Sequence, residues 1–218
     1  MIDAVVFDLD GVLVESEQIW SEARRELTEE LGGRWTGRAQ ADMMGMSSVE
    51  WSRYMHDELG ISLPAEAISD EVVRRLERLY RERLPLLPGA REAVERVAAR
   101  WPLAVASSSN RPLIELVLEI AGIAERFAVV VSSEEVARGK PAPDVYLEAA
   151  SRLRVSRGRT AAVEDSENGL RSAIAAGMRV IAIPNREFPP PEATLRDADV
   201  VLRSLDELTP EVIDPATS

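Results

Sequence analysis

Two aspartates, Asp8 and Asp10, follow a short apolar segment (residues 4–7) and precede Gly11. Residues two apart on an extended strand point the same way, so both carboxyl groups can face one reacting centre. One carboxylate of such a pair can act as a nucleophile, and the other can carry a proton to or from a leaving oxygen. This spacing predicts that Asp8 is a covalent nucleophile and Asp10 a general acid and base.

Other polar residues follow or adjoin later apolar segments: Ser107 and Ser108, Lys140, and the pair Glu164 and Asp165. In an open parallel sheet, ligands bind beyond the carboxyl ends of the strands. If these segments are parallel strands, their polar ends meet Asp8 and Asp10 at one edge of the sheet. The residues then form one site.

Carboxylates crowded in this way repel each other unless a cation compensates them. Magnesium prefers oxygen ligands, and Asp8 and Asp165 are expected to bind it, with Glu164 in support. Ser107 can donate a hydrogen bond to a phosphate, and Lys140, the single lysine among 26 basic residues, adds a positive charge. Together they favour phosphoryl transfer, in which stabilisation of charge supplies most of the catalysis.

The segments that position these residues alternate between strand and helix patterns. Apolar strands are predicted at residues 4–7, 103–106, 128–131, 160–163, 179–183 and 199–202, and helices lie between the later ones. Such alternation predicts an α/β fold, with a Rossmann-like parallel sheet covered on both faces. The tail from residue 209 to 218 is expected to be loosely held.

Residues 15–85 differ from the rest, because apolar residues there recur every four positions with no strand pattern between them. One example is the series Ile68, Val72, Leu76 and Tyr80, which is typical of amphipathic helices. The prediction is an α/β catalytic core formed by residues 1–14 and 86–218, interrupted by an all-helical domain at 15–85.

The amino-acid composition limits which classes of binding partner we expect. The net charge of −12 disfavours binding to nucleic acid or anionic membranes. The chain has no cysteine, no long apolar run and no visible signal peptide, so we expect a cytoplasmic protein. The expected partner is a small phosphorylated molecule. A monomer is favoured, although no feature of the sequence determines the oligomeric state.

The motifs around these residues resemble those of the haloacid dehalogenase superfamily. The four segments are Phe-Asp-Leu-Asp-Gly at 7–11, Ala-Ser-Ser-Ser at 106–109, Gly-Lys-Pro at 139–141, and Val-Glu-Asp-Ser at 163–166. They occur in order and cover nearly the whole chain. The helical insertion after the first motif resembles the cap of the subgroup that contains β-phosphoglucomutase, phosphoglycolate phosphatase and sugar-phosphate phosphatases.

The resemblance implies a role for each motif residue. Asp8 would be the nucleophile and a metal ligand, and Asp10 the acid and base, with its backbone carbonyl also on the Mg²⁺. Glu164 and Asp165 would complete the metal site. Ser107, Ser108 and Lys140 would hold the phosphoryl group.

Departures from the family pattern favour hydrolysis. Dehalogenases lack the second aspartate, which is present here as Asp10. The β-phosphoglucomutases carry a histidine where this chain has Trp20 and an arginine where it has Ser48. Phosphonoacetaldehyde hydrolases need a lysine in the cap, and this chain has none there. Two alternatives stay open: a hexose phosphate mutase, and a non-catalytic binding module on the same fold.

Four residues of the insertion are candidates for contact with the substrate: Trp20, Met44, Gly45 and Ser47. The competing interpretation is that the tryptophan and methionine side chains of this region pack the helical bundle.

Overall fold

The computed structural model describes residues 1–44, 46–186 and 189–217. Within these residues one sheet contains β1 (Ala4–Phe7), β2 (Leu103–Ser107), β3 (Phe127–Ser132), β4 (Thr160–Glu164), β5 (Arg179–Ala182) and β6 (Val200–Val201). The strand order is β3-β2-β1-β4-β5-β6, and every neighbouring pair is parallel. This arrangement confirms the predicted Rossmann-like α/β fold.

Helices connect the strands and form the insertion. They are α1 (Glu17–Glu30), α2 (Ala39–Met43), α3 (Ser48–Asp57), α4 (Ala65–Glu82), α5 (Ala90–Ala98), α6 (Arg111–Ile120), α7 (Asp144–Leu153), α8 (Glu167–Ala175), α9 (Glu192–Arg196) and α10 (Pro210–Ile213). The sequence analysis did not anticipate the short helices α2, α9 and α10. None of the helices described is both long enough and apolar enough to cross a membrane.

Alternate residues of β1, β2, β4 and β5 enter two different hydrophobic clusters. Val5 and Phe7 of β1 belong to a cluster that also contains residues of α5, of α6 and of the insertion helices. Val6, between them, packs on the other face with Val145 of α7 and Leu170 of α8. Because both faces are buried, the central strands are continuous apolar segments, and this pattern made them visible in the sequence.

The two segments that connect α1–α4 to the sheet lie side by side. Val14 and Leu86 form an antiparallel bridge. The N–H of Glu15 donates to the carbonyl of Pro85 at 2.8 Å, and the N–H of Leu87 donates to the carbonyl of Leu13 at 2.9 Å. The two segments are therefore paired near residues 14 and 86, where the sequence analysis placed the junctions of the insertion. That residues 15–85 act as a separate domain stays a prediction.

The tail was expected to be loosely held, and this expectation is wrong for the part of the tail that ends at Asp214. Ile213 of α10 is fully buried in the larger hydrophobic cluster. The Asp214 carboxylate accepts a hydrogen bond from the N–H of Ile2 at 2.8 Å, and Arg179 donates to the carbonyl of Val212 at 3.2 Å. Contacts far apart in sequence fix this segment, so local composition gave no sign of them.

We predict that Ile213→Ala lowers the free energy of unfolding by about 2–4 kcal/mol, because it removes a fully buried side chain from a packed cluster. Urea denaturation measures this change. The matched control is Ile120→Ala, whose side chain is partly exposed at the end of α6 and should cost clearly less. Equal losses for the two variants would show that the tail does not pack as described.

Candidate active site

The polar ends of the central strands meet around Asp8. Strand β1 lies between β2 and β4, so Asp8 is next to Ser107 on one side and to Glu164 and Asp165 on the other. The N–H of Asp8 donates to the carbonyl of Val163 at 3.0 Å, which continues the pairing with β4 past the end of β1. The sheet thus brings together residues that are about 100 or more positions apart in the sequence.

Lys140 joins two of the carboxylates. Its Nζ lies 2.9 Å from Asp8 Oδ1 and 2.6 Å from Glu164 Oε1, and all three side chains are buried. Burial alone would lower the pKa of Lys140, but the attraction of Asp8 and Glu164 outweighs that effect and raises it. The lysine is therefore a permanent cation, held at the centre of the site.

Glu164 makes hydrogen bonds through both carboxylate oxygens. Oε1 accepts from Lys140 and, at 2.8 Å, from the Tyr146 hydroxyl. Oε2 accepts from the N–H groups of Asp165 at 3.0 Å and Ser166 at 3.3 Å, where α8 begins. A Cβ atom at Gly169 would overlap the Glu164 carboxylate, so this glycine makes room for it. Glu164 therefore fixes Lys140 and the start of α8 relative to each other.

The carboxylates of Asp8, Glu164 and Asp165 can hold a metal ion. One oxygen from each lies within 4.8 Å of the others. Asp165 Oδ1 is buried and has no hydrogen-bond partner among the described residues. A buried oxygen of this kind is costly unless a ligand satisfies it, and three close carboxylates fit a hard divalent cation. The cluster contains three of the four predicted metal ligands; that Asp10 contributes the fourth and that the ion is Mg²⁺ stay predictions.

The pKa values of Asp8 and Asp165 also indicate that these carboxyl groups have too little positive charge around them. Burial and repulsion from Glu164 raise the pKa of Asp8 to about 8, although Lys140 opposes this shift. Burial, followed by repulsion from Glu164 and Asp8, raises the pKa of Asp165 well above its ordinary value. A bound divalent cation would reverse both effects and favour the ionised carboxylates.

Gly11 is needed here for two physical reasons. Its φ of +80° lies in the left-handed region, which other residues adopt at a cost. A Cβ atom at this position would also overlap the Asp165 carboxylate. The turn after Asp10 thus lets the loop approach the end of β4 closely.

Two serines position the Asp10 carboxylate. Ser109 Oγ donates to Asp10 Oδ2 at 2.7 Å, and Ser107 Oγ lies 3.4 Å from the same oxygen. The N–H of Ser109 in turn donates to Ser107 Oγ at 3.0 Å. Ser107 is fully buried behind the site, whereas Ser108 and Ser109 line its cavity. The sequence analysis proposed Ser107 and Ser108 for phosphate and missed Ser109.

A cavity of about 340 Å³ lies between these residues and the insertion. Asp8, Asp10, Lys140 and Asp165 line it on the side of the sheet. The described residues of the insertion that line it are Ser16, Glu17, Trp20, Arg24, Ala41, Met43, Met44, Met46 and Trp51. Two later segments add Ser166, Glu167 and Asn168, and Pro189, Pro190 and Pro191. A volume of this size suits a small metabolite.

Of the four predicted contact residues in the insertion, Trp20 and Met44 line the cavity. Ser47 is not among the lining residues; its N–H donates to Glu50 Oε2 at 2.8 Å at the start of α3. Ser47 also approaches Gly139 in the loop that carries Lys140. Gly45 lies outside the described residues.

Arg24 and Glu17 are the charged lining residues of the insertion that the sequence analysis missed. Ile19, Ala23 and Leu27 recur every four positions and form an apolar stripe on α1. Trp20 and Arg24 lie beside this stripe and are also buried. An arginine four residues after a tryptophan, next to an apolar stripe, was the available signal.

We predict that Gly11→Ala weakens Mg²⁺ binding at least tenfold, because the added methyl group displaces the Asp165 carboxylate. Isothermal titration with MgCl₂ measures the affinity. The matched control is Gly122→Ala, which has a similar φ of +68° but open space around the added Cβ. The control should lose stability and keep the native Mg²⁺ affinity. Native affinity in Gly11→Ala would contradict the proposed metal position.

Comparisons with known proteins identify the family of this chain. A family model described as haloacid dehalogenase-like hydrolase matches residues 2–177. Hexitol phosphatase B of Escherichia coli (strain K12) is 34% identical over 210 residues, which cover 94% of each chain. The bifunctional riboflavin kinase/FMN phosphatase of Arabidopsis thaliana is 32% identical over 92% of this chain, which spans about half (53%) of that protein's length.

The fold similarity extends along the chain. The crystal structure of CbbY from Rhodobacter sphaeroides in complex with phosphate superimposes with a TM-score of 0.88 and 31% identity. That alignment covers 98% of this chain and 100% of CbbY. The resemblance seen in the four motifs and the prediction of an enzyme are thereby confirmed: the chain belongs to the haloacid dehalogenase-like hydrolase family.

Proposed function

We propose that this chain is a Mg²⁺-dependent phosphatase that hydrolyses a small phosphorylated metabolite, a sugar phosphate or a similar compound, through an aspartyl-phosphate on Asp8. The observation that carries the proposal is the position of Asp8, Asp10 and Lys140 on one cavity that side chains of the insertion also line. The printed names of the relatives, which include a hexitol phosphatase and an FMN phosphatase, support it.

In the first half of the reaction, a carboxylate oxygen of Asp8 attacks phosphorus and forms a P–O bond. The ester P–O bond breaks, and Asp10 gives its proton to the leaving oxygen. The Oγ atoms of Ser109 and Ser107 lie 2.7 and 3.4 Å from Asp10 Oδ2 and hold this carboxylate toward the leaving group. Lys140, at 2.9 Å from Asp8, stabilises negative charge on the phosphoryl oxygens.

In the second half, water replaces the leaving group. Asp10, now ionised, takes a proton from the water as the water oxygen attacks phosphorus. The bond between phosphorus and the Asp8 oxygen breaks, which releases inorganic phosphate and restores the Asp8 carboxylate. One aspartate thus forms the covalent bond, and the other carries one proton out and one proton in.

Asp8 and Asp165 would hold the Mg²⁺, together with the backbone carbonyl of Asp10. When bound, the ion supplies charge neutralisation that lets an anionic substrate approach these carboxylates. Because all Glu164 oxygens already accept hydrogen bonds, we assign Glu164 chiefly to holding Lys140 and the start of α8. Its carboxylate still adds negative charge next to the metal ligands.

Helices α1–α4 would act as the cap. Trp20, Met44 and Trp51 bring apolar surface to the cavity, which reduces access of water to the aspartyl-phosphate. The same side chains would select the leaving group. Ser108 and Ser109 both line the cavity, and Ser109 is hydrogen-bonded to Asp10. Ser108 is therefore the serine that would contact the phosphoryl group.

Two variants test the proposal with p-nitrophenyl phosphate. Asp8→Asn should lower phosphate release at least 1,000-fold, because no nucleophile remains. Asp10→Asn should release close to one equivalent of nitrophenolate in a burst and then stall, since this leaving group needs no proton but the attacking water does. Release by the native protein should disappear with a chelator and return with Mg²⁺. Quenched-flow absorbance records both phases.

The matched control is Asp57→Asn, an exposed aspartate at the end of α3, which should retain native turnover. Full activity of Asp8→Asn would contradict the covalent mechanism. Isomerisation of a hexose phosphate without release of phosphate would favour the mutase alternative. Binding of Mg²⁺ with no turnover of any phosphoester would favour a non-catalytic binding module.

A further inference from the structure

Arg24 of α1 is a buried cation that faces the cavity. Only 5% of the residue is exposed, and it is among the residues that line the cavity. Its guanidinium carbon lies 4.4 Å from the ring centroid of Trp20 and 4.9 Å from that of Trp51. The two indoles pack edge to face, with centroids 5.8 Å apart. This aromatic contact fixes the direction in which the guanidinium points.

Among the described residues, no carboxylate forms an ion pair with Arg24, and Glu17 and Asp10 attract it only from a greater distance. Its Nε is buried without a hydrogen-bond partner among these residues. Nη1 has one weak contact, with Gln40 Oε1 at 3.5 Å. Burial, which outweighs the attraction of Glu17 and Asp10, lowers the pKa of Arg24 to about 10. Buried charges are normally paired, so this one is suited to receive a partner.

The neighbouring acid is already occupied. Glu17 Oε2 accepts a hydrogen bond from Gln40 Nε2 at 2.6 Å, and the same Gln40 presents its Oε1 to Arg24. Gln40 therefore separates Glu17 from the guanidinium. Lys140, the other cation that lines the cavity within the described chain, is bound to Asp8 and Glu164. Of these two cations that line the cavity, Arg24 is thus the one without an ion pair among the described residues.

We propose that Arg24 binds an anionic group, a carboxylate or a second phosphate, at the end of the substrate remote from the transferred phosphoryl group. The inference rests on the proposed function and specifies its substrate class. A planar guanidinium can pair with either anion through two parallel hydrogen bonds, and the Nε of Arg24 has no hydrogen-bond partner among the described residues. The Trp20 and Trp51 rings hold the guanidinium in place, so little entropy is lost when the anion binds. Substrates with a neutral end leave Arg24 uncompensated.

The test compares three six-carbon substrates that differ at one end. They are sorbitol 6-phosphate with a hydroxyl, 6-phosphogluconate with a carboxylate, and sorbitol 1,6-bisphosphate with a second phosphate. The native enzyme should show kcat/KM at least tenfold higher for one or both anionic substrates. Arg24→Gln should lower that value 10- to 100-fold and leave sorbitol 6-phosphate within about threefold. Arg24→Lys should restore part of the preference.

The matched control is Arg25→Gln, the exposed neighbour on α1, which should leave all three values unchanged. The carboxylate and bisphosphate arms show which anion the site accepts. Equal losses on all three substrates in Arg24→Gln would assign Arg24 to packing of Trp20 and Trp51 and overturn the inference. A native preference for the neutral substrate would overturn it as well.

Direct binding separates this inference from the proposed function. If no substrate is hydrolysed, the proposed phosphatase activity fails, and isothermal titration still measures affinity for 6-phosphogluconate, sorbitol 1,6-bisphosphate and sorbitol 6-phosphate. At least one anionic compound should bind the native protein at least tenfold more tightly than it binds Arg24→Gln, while sorbitol 6-phosphate should not distinguish the two proteins. The role of Arg24 would be overturned if each anionic compound bound the native protein and Arg24→Gln with the same affinity.

Discussion

Three buried carboxylates and one lysine meet at the centre of this molecule, and their charges do not balance. Lys140 contacts Asp8 and Glu164, while Asp165 keeps an oxygen without a hydrogen-bond partner among the described residues. In a low-dielectric interior this excess of negative charge is expensive. The cluster persists because the sheet, two glycines and the hydrogen bonds of Glu164 force it together. The same excess makes the site receptive to a divalent cation and, with it, to a phosphate.

The fold makes this concentration of charge feasible. Parallel strands end at one edge, so β1, β2 and β4 contribute polar residues there while their apolar lengths fill the core. Gly11 and Gly169 remove side chains where carboxylates need space. The insertion adds a second kind of surface, aromatic and thioether, on the opposite side of the cavity. The charged groups and the apolar surface of the cavity are therefore supplied largely by different segments of the chain.

The parts of this architecture that depend on local pattern could be predicted from the sequence. Apolar segments buried on both faces marked the strands. Polar residues at the strand ends marked Asp8, Asp10 and Asp165, and the Gly-Lys-Pro motif in a later loop marked Lys140. Features that depend on the direction of a side chain could not be predicted. Ser109 and Ser107 are equally good hydrogen-bond donors by residue type, and only the loop geometry turns Ser108 and Ser109 to the cavity. Arg24 lay within a charged helix, and its burial depends on Trp51 of another helix. Ile213 required contacts with residues far away in sequence.

The paired segments at Val14 and Leu86 constrain how the insertion can move. Backbone hydrogen bonds from Glu15 to Pro85 and from Leu87 to Leu13 tie the two crossings into one short ribbon. Helices α1–α4 are thus not suspended from two independent tethers. A displacement that preserves these bonds must move both strands of the ribbon together. Asp10 precedes one strand of the ribbon and Arg24 follows it, so a change in the bend of the ribbon changes the distance between them.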